Sequence, residues 1–493
     1  MLRRPPARLR FAAFAALACA LAPAFLLPAC SGASAGNLGS KGSGSSGGSS
    51  GGGGSSSGAS SGGGSGGSSG ASGGGSGGSS GGSGSGGSSG GGSGGSSGSS
   101  SGAGCDTKIH GTVWDPAKLK PVYNAIVYIP TAALAPISSG ASCDKCGQPP
   151  SGAPVAVALS GPDGTFTLDN TPSGPDVRIV VQIGKWRREN APLTAITPCM
   201  DNAVDGELTR LPKNKAEGHL PHIALSTGLD TMECALQTMG VDTTEFTSNT
   251  GTGSIHIYQG DPTYGATAGT GTALASTLWA NPATLGAYDM VIDACQGQAP
   301  TDKPQASLSN IAAFTGAGGR VYASHYEDYL LWPTGATSPW SGVATEDTTS
   351  VSATNIATNV TIDSAFPKGS ALAKWVVAAG ASTTPGTIAT INNARSDVLG
   401  VTAPTTAWMS GLVDGTTTNN IYQTSFYAGT TGCGKVSYSD FHVSAGTIAT
   451  AAFPAECPTA MADPAATDLF EFFLFDTMSC VQDDTKAPVA PPL

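Results

Sequence analysis

Two short runs of the 493-residue chain hold the residue types and spacing that do chemistry, His325-Tyr-Glu327-Asp328 and Asp440-Phe-His442. An i, i+2 spacing puts two side chains on one face of an extended chain. Imidazoles and carboxylates converging from two such runs can bind a divalent metal or act as an acid-base pair on a sugar. His325, Asp440 and His442 are therefore the candidate catalytic residues, with Glu327 and Asp328 as candidate ligand contacts. The competing reading is that both histidines donate to backbone and Asp440 caps a loop. The pattern assigns no metal and no cofactor. A third run, Lys185-Trp186-Arg187-Arg188, is the one basic cluster. It can meet an anionic glycan or lipid headgroup through charge and the indole face. The alternative is a strand end with Trp186 buried and its arginines paired in an acidic chain.

Both candidate runs need strands to deliver them. After Pro221 the sequence alternates, with strands expected at residues 223–228, 254–258, 288–294 and 319–324 and helices at 230–239, 273–279 and 308–315. Asp230 followed by Glu233 has the spacing of a capping box. Residues 333–432, rich in Thr, Ser and Ala and with strand-like pieces, read as an insertion or excursion. A strand at 434–439 and an apolar closing helix at 468–475 follow. This alternation predicts a parallel sheet with helices on its faces, and too few units remain after residue 330 for an eightfold barrel. The candidate runs then fall just past strand C-termini, where open α/β sheets bind ligands.

Residues 105–215 have a different rhythm. Short β-branched runs at 109–113, 124–130, 155–159, 165–168 and 177–183, bounded by Gly, Pro and Asp, predict an antiparallel sandwich. Gly161-Pro-Asp-Gly164 is expected to turn a hairpin.

The first 104 residues are of another kind. Four arginines (Arg3, Arg4, Arg8, Arg10) precede an apolar run from Phe11 to Leu27, the pattern of a secretory leader. Residues 31–104 are almost wholly Gly and Ser, too poor in apolar side chains to offset their ordering entropy, and are expected to be a disordered tether spanning about 45 to 50 Å. This low-complexity tract is no phosphate loop, since none of it follows a strand and opens a helix. The formal charge of −11 becomes −15 without the leader, which disfavours a nucleic-acid partner. An export signal with nine cysteines after Cys30 predicts disulfides. Cys105, Cys143, Cys146 and Cys199 are expected to form two among themselves, in any of three connectivities, although Cys143-x-x-Cys146 also has zinc-ligand spacing. The later group, Cys234, Cys295, Cys433, Cys457 and Cys480, is odd in number, and Cys295 is expected to be left unpaired.

Three stretches resemble known families. Leu27-Pro-Ala-Cys30 resembles the bacterial lipoprotein box, which implies an acylated Cys30 as the mature N-terminus and, with Ser31 following, the outer membrane. Gly111-Thr-Val-Trp-Asp, Asn124-Ala-Ile-Val and Asp163-Gly-Thr-Phe-Thr-Leu are similar to the carboxypeptidase regulatory-like, or transthyretin-like, β-sandwich, a module rarely catalytic. Phe314-Thr-Gly-Ala-Gly-Gly-Arg-Val-Tyr-Ala-Ser-His325 and Gly434-Lys-Val-Ser-Tyr-Ser-Asp-Phe-His442 resemble class I glutamine amidotransferase-like and trehalose-utilisation (ThuA-like) domains, in which such strands deliver site residues. Where amidotransferases place their nucleophilic cysteine this chain has His325, so glutaminase chemistry is not expected.

The expected architecture is multidomain: leader 1–29, lipidated Cys30 and tether 30–104, antiparallel β-sandwich 105–215, flavodoxin-like α/β domain 216–485 with insertion 333–432, and tail 486–493. The expected function is a lipid-anchored envelope protein that binds a glycan or envelope component, or scaffolds, without catalysis. The alternative is a secreted hydrolase or isomerase acting on carbohydrate through His325, Asp440 and His442.

Overall fold

The computed structural model describes residues 105–260, 271–348, 356–413, 417–430, 432–444 and 451–493. The expected leader, Cys30 and the Gly/Ser tether lie outside the described residues.

Seven short strands come first: β1 (Lys108–Thr112), β2 (Ile126–Pro130), β3 (Pro154–Leu159), β4 (Thr165–Leu168), β5 (Val180–Ile183), β6 (Trp186–Glu189) and β7 (Asp201–Ala203). They form two sheets, β4-β1-β7 and β3-β2-β5-β6, antiparallel throughout except that β7 runs parallel to β1. The expected hairpin at residues 161–164 is corrected. β3 and β4 belong to different sheets, so the turn carries the chain from one sheet to the other.

The remaining strands are β8 (Ile223–Thr227), β9 (Phe246–Ser248), β10 (Ile255–Gln259), β11 (Met290–Asp293), β12 (Arg320–Ser324), β13 (Ala344–Glu346), β14 (Ile356–Ile362), β15 (Thr387–Ala394), β16 (Val398–Val401), β17 (Thr406–Leu412), β18 (Asn419–Ala428) and β19 (Gly434–Ser439). The helices are α1 (Gly206–Thr209), α2 (Met232–Thr238), α3 (Ala275–Trp279), α4 (Pro282–Gly286), α5 (Gln305–Gly316), α6 (Pro367–Ala378) and α7 (Pro464–Met478).

Ten strands make one sheet in the order β15-β14-β17-β18-β19-β12-β11-β8-β10-β9. From β9 to β19 every pairing is parallel, and from β19 outward through β18, β17, β14 and β15 every pairing is antiparallel. The fold is thus mixed α/β. Residues 333–432, expected as an insertion with strand-like pieces, supply four of these ten strands. The strands β8, β11, β12 and β19 are almost wholly buried, as strands covered on both faces must be.

Helix α7 sits at the centre of the packing. Every residue from Ala466 to Met478 is buried. Phe470 meets Tyr322 of β12 (ring centroids 5.0 Å), Phe473 meets Trp408 of β17 (5.1 Å), Phe472 meets Trp375 of α6 (5.2 Å) and Phe475 meets Trp186 of β6 (5.5 Å). Asp476, on the same helix, pairs with Lys368 at 2.8 Å and with Lys435, and Asp484 bonds both lysines at 2.8 and 2.7 Å. Two buried cations thereby face two buried anions, the arrangement that makes such burial tolerable.

Four disulfides form: Cys105–Cys199, Cys143–Cys433, Cys146–Cys480 and Cys234–Cys457. Among the described residues Cys295 is the free cysteine. The expectation that the early four cysteines pair with one another holds for Cys105 and Cys199 only. Cys143 and Cys146 each reach a different late cysteine, which also leaves no paired zinc ligands at that spacing. Titration of thiols in the denatured, non-reduced body should therefore find one, and the double change Cys146→Ser, Cys480→Ser should be costly. With Cys143–Cys433 in place, the second bridge closes a further loop of about 50 residues, so its loss should lower unfolding free energy by about 4 kcal/mol in denaturant titrations.

Candidate functional site

Three strand ends converge on one point. Cys295 lies two residues past β11, His325 directly follows β12, and His442 lies three residues past β19, all at the C-terminal side of adjacent parallel strands. The Cys295 Sγ stands 3.3 Å from His325 Nδ1 and 3.1 Å from His442 Nε2. The two imidazoles face each other with centroids 3.9 Å apart and planes 34° from parallel. Relative exposures of 0%, 1% and 2% seal the trio from solvent.

The local backbone is built for this convergence. His325 takes φ +53°, the left-handed region, at the turn from β12 into a short 3₁₀ segment, His325–Leu330. A Cβ at Gly228, just past β8, would overlap the Cys295 carbonyl, so glycine is required where these strand ends close up. The main-chain segment at residues 440–442 is gripped on both sides: the Asp440 N–H donates to Tyr422 of β18, while the N–H groups of Arg395 and His442 meet the Asp440 and Asn393 carbonyls. Strands β15 and β18, part of the expected insertion, thus hold His442 in place.

Asp230 is the fastener between the two histidine-bearing ends. Its carboxylate accepts from Ser324 Oγ (2.8 Å), the residue before His325, and from the N–H groups of Val443 (3.0 Å) and Ser444 (2.7 Å), the residues after His442. Ser324 Oγ in turn accepts the Cys295 N–H at 3.2 Å. The capping box expected of Asp230 and Glu233 is therefore corrected: Thr231 is the N-cap of α2 and makes no side-chain cap bond, and the Asp230 carboxylate is spent across the sheet.

Burial sets the protonation states. It pushes the Cys295 thiol well above its ordinary value, against N–H groups of Tyr326 and Gly297 directed at the sulfur. It pushes both imidazoles down, His325 well below the usual range with His442 beside it adding to the effect. The trio is a neutral thiol with two neutral imidazoles. His325 Nε2 and His442 Nδ1 are buried with no partner among the described residues.

The other candidates are engaged elsewhere. Asp440 accepts from the Asp397 N–H at 2.8 Å and lies 2.9 Å from the Tyr438 hydroxyl, and burial raises its pKa well above the carboxylate range. Glu327 is paired at 2.9 Å with the fully buried Lys303, which also lies 3.2 Å from both Asp293 and Asp302. Asp328 lies 3.7 Å from Arg395, whose guanidinium pairs with Asp397 and stacks 4.0 Å over Tyr326. In the basic cluster Trp186 is fully buried and donates to the Pro212 carbonyl at 3.1 Å, and Lys185 pairs with Asp289 at 2.7 Å. Arg187 and Arg188 donate to carbonyl oxygens of Ala135 and Glu207 rather than to carboxylates. Sequence reasoning did not single out Asp230, Lys303, Arg395 or Asp397 for these roles. The one available signal was a charged residue inside or just past an otherwise apolar strand, as at Asp293 and Asp230.

No protein-family description matches the chain, and no curated protein does. Among solved structures, a putative GMP synthase subunit from Thermoplasma acidophilum is 11% identical, with 53% of this chain and 96% of that one covered at a TM-score of 0.30. A cytoplasmic protein of Salmonella typhimurium is 12% identical over 52% of this chain and 99% of that one, with a TM-score of 0.28. At scores this low nothing about activity carries over.

Replacing Asp230 by Ala leaves a buried hydroxyl and two buried N–H groups unsatisfied. At 1 to 3 kcal/mol for each stranded group, partly relieved by relaxation, the loss should be about 3 to 5 kcal/mol in urea unfolding. Asp230→Asn, which keeps one acceptor oxygen, should lose less.

Proposed function

We propose that this chain is an exported, lipid-anchored envelope protein with a binding or scaffolding role. In this reading Cys30 bears the acyl chains at the outer membrane and residues 31–104 form the tether. Residues 105–215 form a transthyretin-like β-sandwich and the rest a flavodoxin-like, amidotransferase-like α/β part. The observation that carries the reading is the set of four disulfides, because a reducing cytoplasm does not sustain such bonds. The leader pattern and the cysteine that follows it agree with that compartment. Strand order supports the α/β assignment: inside the short edge strand β9, the strands β10, β8, β11, β12 and β19 lie side by side, which in chain order is 2-1-3-4-5, the flavodoxin-like order.

A non-catalytic role is favoured by how the candidate residues are spent. Acid-base work on a sugar needs a carboxyl and an imidazole open to one ligand. Here Asp440 is committed to Tyr438 and Asp397, and His325 and His442 are sealed against Cys295. Glutaminase chemistry would need a nucleophilic cysteine at the turn after β12, where His325 stands. The surface that suits a glycan or envelope ligand is instead a cavity of about 330 Å³ beside the Cys146–Cys480 bridge. It is lined by Asn124, Lys145, Gln182 and Arg187, which offer polar and cationic groups.

Labelling cells with a radioactive fatty acid should mark the wild-type protein and not Cys30→Ser; equal labelling of both would overturn the anchor. In a glycan-binding assay Arg187→Ala should weaken retention of an anionic glycan about tenfold, and no retention by the wild-type protein would remove the ligand class.

A further inference from the structure

Without an ion, one arrangement alone gives each contact at Cys295 its own proton, the mixed one in which one imidazole donates to the sulfur and the thiol donates to the other imidazole. A thiol carries one proton and a neutral imidazole carries one. If both histidines turn their N–H toward the sulfur, that atom must accept from two rings and also from the Gly297 N–H at 3.3 Å and the Tyr326 N–H. If both turn their lone pairs inward, the sulfur and two nitrogens share the single thiol proton. With matched tautomers the rings therefore either overload one sulfur or crowd lone pairs around one point.

We propose that Cys295, His325 and His442 form a three-ligand binding site for a divalent cation of the zinc class. A cation at the meeting point uses every inward lone pair. The thiol proton leaves to solvent, and the two main-chain N–H groups remain as N–H···S bonds, which steady a metal thiolate. The geometry is close to what such an ion needs. One ligand atom from each side chain lies within 4.8 Å of the other two. Tetrahedral bonds of zinc to sulfur and nitrogen set those ligands about 3.5 Å apart, so the observed 3.1 and 3.3 Å ask for shifts of a few tenths of an ångström. One sulfur and two imidazoles form a borderline donor set that suits zinc-like ions and disfavours magnesium and calcium, which take oxygen ligands. Asp230 stands beside the trio, its carboxylate accepting the N–H groups of the two residues that follow His442. It also holds the two histidine-bearing ends together, so the ligands are positioned before any ion arrives.

Because the site is closed, metal is best supplied while the chain folds. The full-length protein and its Cys295→Ser variant should be expressed for export in medium containing zinc or cobalt, purified without chelator, and analysed for metal by mass spectrometry. The wild-type protein is expected to carry one zinc or cobalt per chain, and the cobalt form to show a thiolate-to-cobalt charge-transfer band with tetrahedral d–d bands. Cys295→Ser should lose the charge-transfer band and at least tenfold in metal content. His442→Ala should retain less than half of the metal. Equal metal content in wild type and Cys295→Ser, or wild-type cobalt protein without the charge-transfer band, would overturn the site. Should Cys295→Ser fail to fold, the wild-type spectrum alone decides, because only a coordinated thiolate gives that band. The outcome is independent of the envelope reading, which fatty-acid labelling tests separately.

Discussion

A helix with no solvent face must be covered on every side, and α7 is such a helix. Its aromatic residues are met by β12 from the parallel half of the sheet, by β17 from the antiparallel half, by α6 and by β6 of the N-terminal sheets. Apolar burial is non-directional, so one helix can draw together layers that share no hydrogen bonds. That constraint makes the N-terminal sheets part of one core with the α/β part, and two disulfides lock the same junction. Directionality comes from Asp476, whose charge answers Lys368 and Lys435 and so fixes α7 against α6 and β19.

The site inherits its form from the same sheet. Parallel strands bring their C-terminal ends to one edge, and at three neighbouring ends the chain places Cys295, His325 and His442. A carboxylate one strand further, Asp230, ties two of those ends by main-chain and hydroxyl donors. The antiparallel extension then grips residues 440–442 from the far side. What is brought together is a borderline, neutral donor set sealed from solvent, with carboxylates of the neighbourhood paired with Lys303, Arg395, Tyr438 and main-chain N–H groups. In a low-dielectric interior those pairings decide which groups remain free to bind anything.

Much of the fold was legible locally. The strands at residues 223–227, 255–259, 290–293 and 320–324 and the helices at 232–238 and 305–316 announce themselves through short apolar runs bounded by Gly, Pro and polar residues. The two histidine runs were visible because they stand just after such strands. Residues 333–432 were legible as strand-like pieces but not as part of the main sheet, because β14, β15 and β17 are antiparallel strands carrying many Thr, Ser and Asn residues. Their place in the sheet depends on which neighbour they pair with. The turn at residues 161–164 misled for a similar reason: its chemistry is that of a tight turn, and only the partners of β3 and β4 reveal that it joins two sheets.

By itself the sequence determined the placement of most strands and helices between residues 223 and 324, the acidic charge and the odd number of cysteines after Cys30. These are consequences of periodicity and composition, which act over a few residues or over the whole chain. Tertiary structure alone decided that Cys143 and Cys146 go to different partners, that Asp230 fastens two strand ends instead of capping a helix, and that Cys295 meets both histidines. Each depends on which strands become neighbours. That order is set by the global burial of apolar faces, and no local pattern encodes it.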